Sequence, residues 1–285
     1  MRQFVSTLIL ALALPFFAAA QDNPLANVSP SPGYCSIFHS WGFIGDSLAS
    51  GEAEYIKPDG KKGYRDIYEY SWGQRMCALM GVSGTNYTRG GETSKGWIED
   101  FWDTSLDRLD GLCAKDRRHQ AYIIALGVND RSRIGQAGWE GWNVGSIEKD
   151  VDLSDYSRNA VSFAGCYAGI IQRIKSIQPQ AKFFLVTNPS EKEHAAEMNE
   201  VIRGMAKTFS NVYVLDIAKY AMDQYRQGSQ WRKDHYAYGH LSPAGYEYTA
   251  WMFLTYIDWI IRHDMDAFRY VSLIGTGLGP EESGR

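Results

Sequence analysis

The chain has 285 residues, 45% of them hydrophobic and 22% charged, with a formal net charge of −4. That length suits one large α/β domain or two small ones, and that apolar share can bury a sizeable core, which excludes global disorder. No basic cluster accompanies the slightly acidic balance, which argues against nucleic acid as a partner.

The first residues read as a targeting segment. Arg2 supplies a short positive region, Phe4 to Phe17 an apolar run, and Ala18-Ala19-Ala20 before Gln21 a small-residue cleavage site. The run is too short to span a bilayer. Residues 1–20 are therefore expected to be a cleaved signal peptide, and the mature protein to be secreted or periplasmic. No later stretch is long and apolar enough to be a transmembrane helix, so no membrane span is expected after cleavage. Cys35, Cys77, Cys113 and Cys166 permit two disulfides in an exported protein, with three connectivities. Cys77 and Cys166 sit in helix-like apolar patterns, which favours small buried hydrophobes for at least one pair. None has metal-ligand spacing, and no metal or cofactor is expected.

Residues 21–36 are a Pro/Ser-rich lead-in, expected to be extended or mobile. Ile37 to Ile44 predicts the first strand. It runs into Gly45-Asp46-Ser47-Leu48, residues that a sharp turn tolerates. Residues 52–70 carry the turn signal Pro58-Asp59-Gly60-Lys61, and this excursion is placed to wall one side of a crevice. Ser71 to Met80 predicts a helix stopped by Gly81. Val82 to Tyr87 is a short strand, and Thr93 opens a helix carrying Trp97, Ile98, Phe101 and Trp102. Ala121 to Leu126 is a continuous apolar run, the pattern of a parallel strand buried on both faces. After Gly127-Val128-Asn129-Asp130 comes a Gly- and Trp-rich loop to about residue 150. A long helix is predicted from about Ser154 to Gln178, then a strand from Lys182 to Thr187. Ser190-Glu191-Lys192-Glu193 reads as a capping box. Val212 to Leu215 is the last core strand. Ser242 and Pro243 read as N-cap and first turn of a final helix to about Arg262. Alternating strands and helices predict a parallel sheet covered on both faces, a three-layer α/β/α sandwich. The expected domain spans residues 37–274, with a loose tail over 275–285.

Three strand ends carry polar or reactive residues: Ser47 after the first, Gly90-Gly91 after the second, Asn129 after the third. In a parallel sheet such ends converge on one edge. His240 comes late, before the last helix. A serine nucleophile needs a base, and a tetrahedral intermediate needs donors. Ser47, His240, the N–H of Gly91 and the amide of Asn129 supply all of these.

With these blocks the chain resembles the SGNH/GDSL hydrolase family. Gly45-Asp46-Ser47-Leu48 matches the first block, Gly91 the second, Gly127-Val128-Asn129-Asp130 the third, and His240 in His-Leu-Ser-Pro-Ala-Gly-Tyr the last. The resemblance implies a flavodoxin-like sheet and an esterase or related acyl hydrolase. It also implies roles: Ser47 as nucleophile, His240 as base, and the Ser47 N–H, Gly91 N–H and Asn129 side chain as oxyanion hole. One departure stands out. The family places an aspartate three residues before the histidine, where this chain has Ala237. Asp234, six residues before His240, is the nearest candidate to orient the ring; the alternative is a Ser–His dyad oriented by a backbone carbonyl.

Other residues have structural alternatives. Trp139 and Trp142 offer faces for a sugar ring, or plug their loop into the core. Arg131 and Arg89 adjoin two of the blocks and suit either an acidic substrate or local pairing. Asp46 and Asp130 read as structural carboxylates, and His235 as a bystander. The function expected is an exported serine ester hydrolase acting on a small-molecule or polysaccharide ester, foremost removing O-acetyl groups from carbohydrate. The alternatives are a lipase-like or broad short-chain esterase, and a silent sugar-binding module on the same fold.

Overall fold

Five apolar runs pair as one parallel sheet in the computed structural model, which describes residues 23–102 and 118–280. The expected signal peptide, Cys113 and the end of the tail lie outside the described residues. The sheet strands are β1 (Ser40–Gly45), β4 (Ser83–Thr88), β5 (Ala121–Ala125), β6 (Lys182–Val186) and β7 (Val212–Leu215). Between β1 and β4 stands a separate antiparallel hairpin of β2 (Glu52–Ile56) and β3 (Lys62–Asp66). A two-residue pair, β8 (Tyr236–Ala237) with β9 (His240–Leu241), precedes the last helix. The helices are α1 (Trp72–Met80), α2 (Ser94–Trp97), α3 (Val128–Arg133), α4 (Ile147–Asp150), α5 (Phe163–Ile177), α6 (Ala195–Thr208), α7 (Ile217–Tyr220), α8 (Met222–Tyr225), α9 (Gln230–His235) and α10 (Pro243–His263).

Strand order is β4-β1-β5-β6-β7. Counting only these five, that is the flavodoxin-like order, in which the crevice opens where β1 meets its neighbours on both sides. Alternate residues of each strand serve opposite layers. Phe43, Ile123, Phe184 and Leu215 pack with α1 and α10 on one face. Ile44, Tyr122, Ile124, Phe183 and Leu185 pack with α5 and α6 on the other. Burying each such side chain contributes about 1.5–3 kcal/mol. With both faces anchored in this way, the strand ends hold their loops in fixed places. Among the described residues no helix is long and apolar enough to cross a membrane.

Several local expectations need correction. The lead-in docks instead of staying free: Leu25 is buried, Ser29 N–H donates to Thr255 Oγ1 at 3.0 Å, and Tyr34 N–H to Asp258 Oδ1 at 2.7 Å. The helix expected from Ser154 starts only at Phe163, capped by Ser162. The preceding stretch is diverted because Asp152 and Asp155 side chains accept the N–H groups of Ser154 and Ser157, the local bonds that compete with helix. The Ser190 hydroxyl accepts Lys192 N–H, and α6 begins after His194, whose φ of 64° breaks any capping box. Cys35, Cys77 and Cys166 are free and buried, so the disulfide option fails among the described residues.

Candidate active site

Ser47 stands one residue past the turn that ends β1. A Cβ at Gly45 would lie 2.5 Å from Ala49 Cβ and 3.0 Å from the Ala125 carbonyl oxygen, so the close approach demands glycine. The Asp46 carbonyl accepts the N–H groups of Ala49 and Ser50 at 2.9 Å, and its Oδ1 accepts Leu48 N–H at 3.0 Å. Asp46 is a buried turn carboxylate, as expected. Burial pushes its pKa up to about 7, with Asp130 adding to the rise and the Leu48 N–H and His240 opposing it.

The two neighbouring strand ends are locked together. Gly91, after β4, has φ of +77°, a conformation that suits glycine. The Asn129 side-chain amide donates to the Glu92 carbonyl at 3.1 Å, tying α3 to that loop. Buried Asp130 accepts the Ser94 N–H at 2.9 Å and its hydroxyl at 2.6 Å. Register places Gly45 opposite Thr88 on one side and Ala125 on the other. Gly91, Ser47 and Asn129 therefore follow three adjacent strands along one edge.

His240 opens β9, just past the β8–β9 turn, and its ring lies between two glutamates. Nδ1 is 3.1 Å from Glu54 Oε2, and Nε2 is 2.9 Å from Glu52 Oε1. Both glutamates come from β2, where alternation sends them to one face. Glu54 also accepts Gly239 N–H at 2.8 Å and pairs with Lys62. Burial raises the Glu54 pKa, but Lys62, the Gly239 N–H and His240 together outweigh it and leave it lowered. Burial pulls the His240 pKa down, yet hydrogen bonds and charge from Glu52 and Glu54 leave it raised. The Tyr246 hydroxyl bonds the Ser47 carbonyl at 3.0 Å and the Glu52 carbonyl at 2.9 Å, pinning the serine turn to the strand that carries the glutamates. A Cβ on Gly90 would collide with the Glu52 carboxylate, so Glu52 also borders the Gly90–Gly91 loop.

The expectation for Asp234 is corrected by this geometry. Its carboxylate is exposed on α9 and accepts the Gln230 side-chain amide at 2.9 Å. Residues 230–235 form a helical turn, so the loop does not fold Asp234 back onto the ring, and Glu54 holds Nδ1 instead. Trp142 is also corrected: it is buried, its indole N–H donates to the Asp130 carbonyl at 2.9 Å, and it plugs the loop. Trp139 packs edge-on against it at 5.4 Å, with Lys95 and Arg133 over its ring. His235 stacks on Trp231 and bonds its carbonyl at 2.8 Å. Arg89 pairs locally with Glu92 and Asp100. Arg131 lines a cavity of about 470 Å³ beside Asp46 and Leu48.

Glu52 and Glu54 are the site residues that motif reading missed. The available signal was Glu52-Ala53-Glu54 before a Pro-Asp-Gly turn: two carboxylates on one face of a hairpin, directly after the serine block.

A profile of the GDSL-like lipase/acylhydrolase family matches residues 43–248. No curated protein matches the chain. One crystal structure is 21% identical, covers 78% of this chain and 96% of its own, and superposes with a TM-score of 0.51. A carbohydrate esterase described as having divergent catalytic and non-catalytic binding functions is 14% identical, covers 78% and 70%, and has a TM-score of 0.49. Est24, a carbohydrate acetylesterase from Sinorhizobium meliloti, is 14% identical, covers 78% and 99%, and has a TM-score of 0.47.

Proposed function

We propose, from the premise that the chain belongs to the GDSL-like lipase/acylhydrolase family and is a carboxylic-ester hydrolase, that it removes O-acetyl groups from carbohydrate outside the cell. Ser47 is the nucleophile. Its Oγ attacks the acetyl carbonyl carbon as the hydroxyl proton passes to Nε2 of His240. The oxyanion receives the N–H groups of Ser47 and Gly91 and the Asn129 amide. Collapse of the tetrahedral intermediate expels the sugar hydroxyl, which takes the proton from His240. Water, activated by the same nitrogen, then releases acetate from Ser47. Glu54 fixes the tautomer by accepting Nδ1–H and stabilises the imidazolium.

The observation that carries this reading is the buried Glu54 on His240 Nδ1, within a cluster that Tyr246 ties to the Ser47 turn. A sugar-binding module has no need of an imidazole oriented by a buried carboxylate and tied through Tyr246 to a serine-bearing strand-end turn. Carbohydrate is favoured by the signal peptide expected over residues 1–20 and by the polar residues Asn188, Ser190 and Gln227 on the cavity that adjoins the Ser47 turn. A broader acyl ester is the second reading, because Leu48, Leu126, Val186, Ile217 and Phe253 give the cavity an apolar floor. Ser47→Ala should reduce acetate release from acetylated oligosaccharides and from p-nitrophenyl acetate by about 10⁵-fold or more with the fold intact. Wild-type turnover in that variant sinks the scheme. Faster hydrolysis of p-nitrophenyl octanoate than of the acetate selects the second reading.

A further inference from the structure

A cavity adjoins the Ser47 turn and carries more positive charge than the function so far requires. Ser47, Gly91, Asn129 and His240 do not line it, but Asp46, Leu48 and Gly239, next to Ser47 and His240 in sequence, do. Its floor is apolar, and its rim bears Arg131, Lys192, Arg226 and Arg232. Arg226 is neutralised locally by Glu191 at 3.2 Å and Asp223 at 2.6 Å. Arg131, Arg232 and Lys192 have no carboxylate partner among the described residues. Arg131 donates from Nη1 to the Ser190 hydroxyl at 3.2 Å, and its buried Nε has no hydrogen-bond partner. Arg232 lies over the Tyr236 ring, 3.9 Å from its centroid. The other carboxyl on the wall is Asp46, whose Oδ1 is already taken by Leu48 N–H.

A partly buried cation without an anion carries a desolvation cost unless something else supplies the charge. Partial burial, with no carboxylate beside it, lowers the pKa of Arg131. The chain as a whole carries −4, so this positive cavity is a local feature and not a general one. A guanidinium also offers paired donors in a plane that matches a carboxylate or sulfate.

We infer that this adjoining cavity selects esters bearing a second, anionic group, a carboxylate or sulfate, that Arg131 and Arg232 receive while the ester carbon sits at Ser47 next to it. This rests on the ester-hydrolase reading and names its substrate class more narrowly. Arg131 lies two residues after Asn129 on α3, so the helix that carries the oxyanion donor carries the selectivity residue as well. The anion can belong to the alcohol side, as in an O-acetylated uronate, or to the acyl side, as in a succinate half-ester.

The test compares kcat/KM for O-acetylated oligouronate, O-acetylated xylo-oligosaccharide, p-nitrophenyl acetate and p-nitrophenyl hemisuccinate, in the full mature chain. At least one anionic ester should exceed its neutral counterpart by about 10-fold or more, the worth of one charge-assisted bond. Preference for the uronate alone assigns the anion to the alcohol side, and preference for the hemisuccinate alone to the acyl side. The preference should shrink between low and high salt, because the charges attract through partly exposed space. Arg131→Gln should lower the anionic-to-neutral ratio by about 10-fold, and Arg131→Lys should retain part of it. If Arg131→Gln does not fold, Arg232→Gln and the wild-type salt response read the same quantity. Equal rates on anionic and neutral esters, with Ser47-dependent hydrolysis of both, overturn this inference and leave the hydrolase reading standing. Hydrolysis that survives Ser47→Ala overturns the hydrolase reading itself.

Discussion

The two walls of the crevice are built by different means. On one side stand the ends of β4, β1 and β5; β1 is paired on both edges, and β1 and β5 are packed into core on both faces. On the other side stands the β2–β3 hairpin, whose strands pair only with each other and expose Tyr55, Ile56 and Tyr64. In the proposed mechanism the sheet wall offers backbone and amide donors held by the core, which need no reorganisation as charge develops. The hairpin wall offers carboxylates held by polar contacts: Glu54 to Lys62, Gly239 and His240. Damage to the first wall should therefore appear as lost oxyanion stabilisation. Damage to the second should appear as a changed base.

The sharpest separation comes from Glu54→Gln. A serine triad that loses its orienting carboxylate to the isosteric amide mispairs the imidazole tautomer, at about 10,000-fold in kcat. A loss of about 1,000- to 10,000-fold is expected here, with KM little moved. Asp234→Asn, measured beside it, should stay within about two-fold of the parent, since an exposed polar contact of this kind is worth little. If Asp234→Asn is the crippled variant and Glu54→Gln is active, the hairpin does not orient the base. On the sheet wall, Asn129→Ala should cost about 100- to 1,000-fold in kcat, the usual effect of one lost oxyanion donor. The pH profile of that variant should keep its shape. A change confined to KM would reduce Asn129 to a substrate contact.

The same contrast explains which parts were legible in the sequence. The sheet wall is written locally. Apolar runs bounded by turn residues mark β1, β5, β6 and β7, and the Ser47 and Asn129 blocks sit directly after β1 and β5, so their convergence follows from parallel topology. The hairpin wall is written across the chain: Glu54 and His240 are 186 residues apart, and nothing near His240 announces its partner. Proximity in sequence pointed to Asp234, but the helical turn of α9 sends that carboxylate to Gln230. Trp142 fell to the same limit. A Gly-Trp-Glu-Gly-Trp loop looks the same from sequence whether its indoles face a sugar or the core, and the Asp130 carbonyl that holds Trp142 is a tertiary partner.

The subtlest effect concerns Glu52. With Nδ1–H donating to Glu54, a neutral imidazole presents a lone pair at Nε2 and has no proton to give Glu52. Both contacts together fit the imidazolium, in which both ring nitrogens donate. The arrangement with Glu52 on Nε2 is thus that of the protonated ring, and loss of the proton removes the reason for that contact and leaves the Nε2 lone pair open to a donor. The sign follows from the raised His240 pKa. The proton held between the glutamates stabilises the fold fully below the unfolded imidazole value of about 6.5, and that stabilisation disappears as pH rises through the folded value. Glu52→Ala removes one acceptor. The acid limb of kcat/KM should move to lower pH, and the extra stability on the acid side should shrink in thermal melts at matched pH. Alanine serves better than glutamine, because a glutamine N–H would donate to the neutral Nε2 and replace one obstruction by another. A limb that stays in place, or moves to higher pH, would show that Glu52 does not hold the proton on His240.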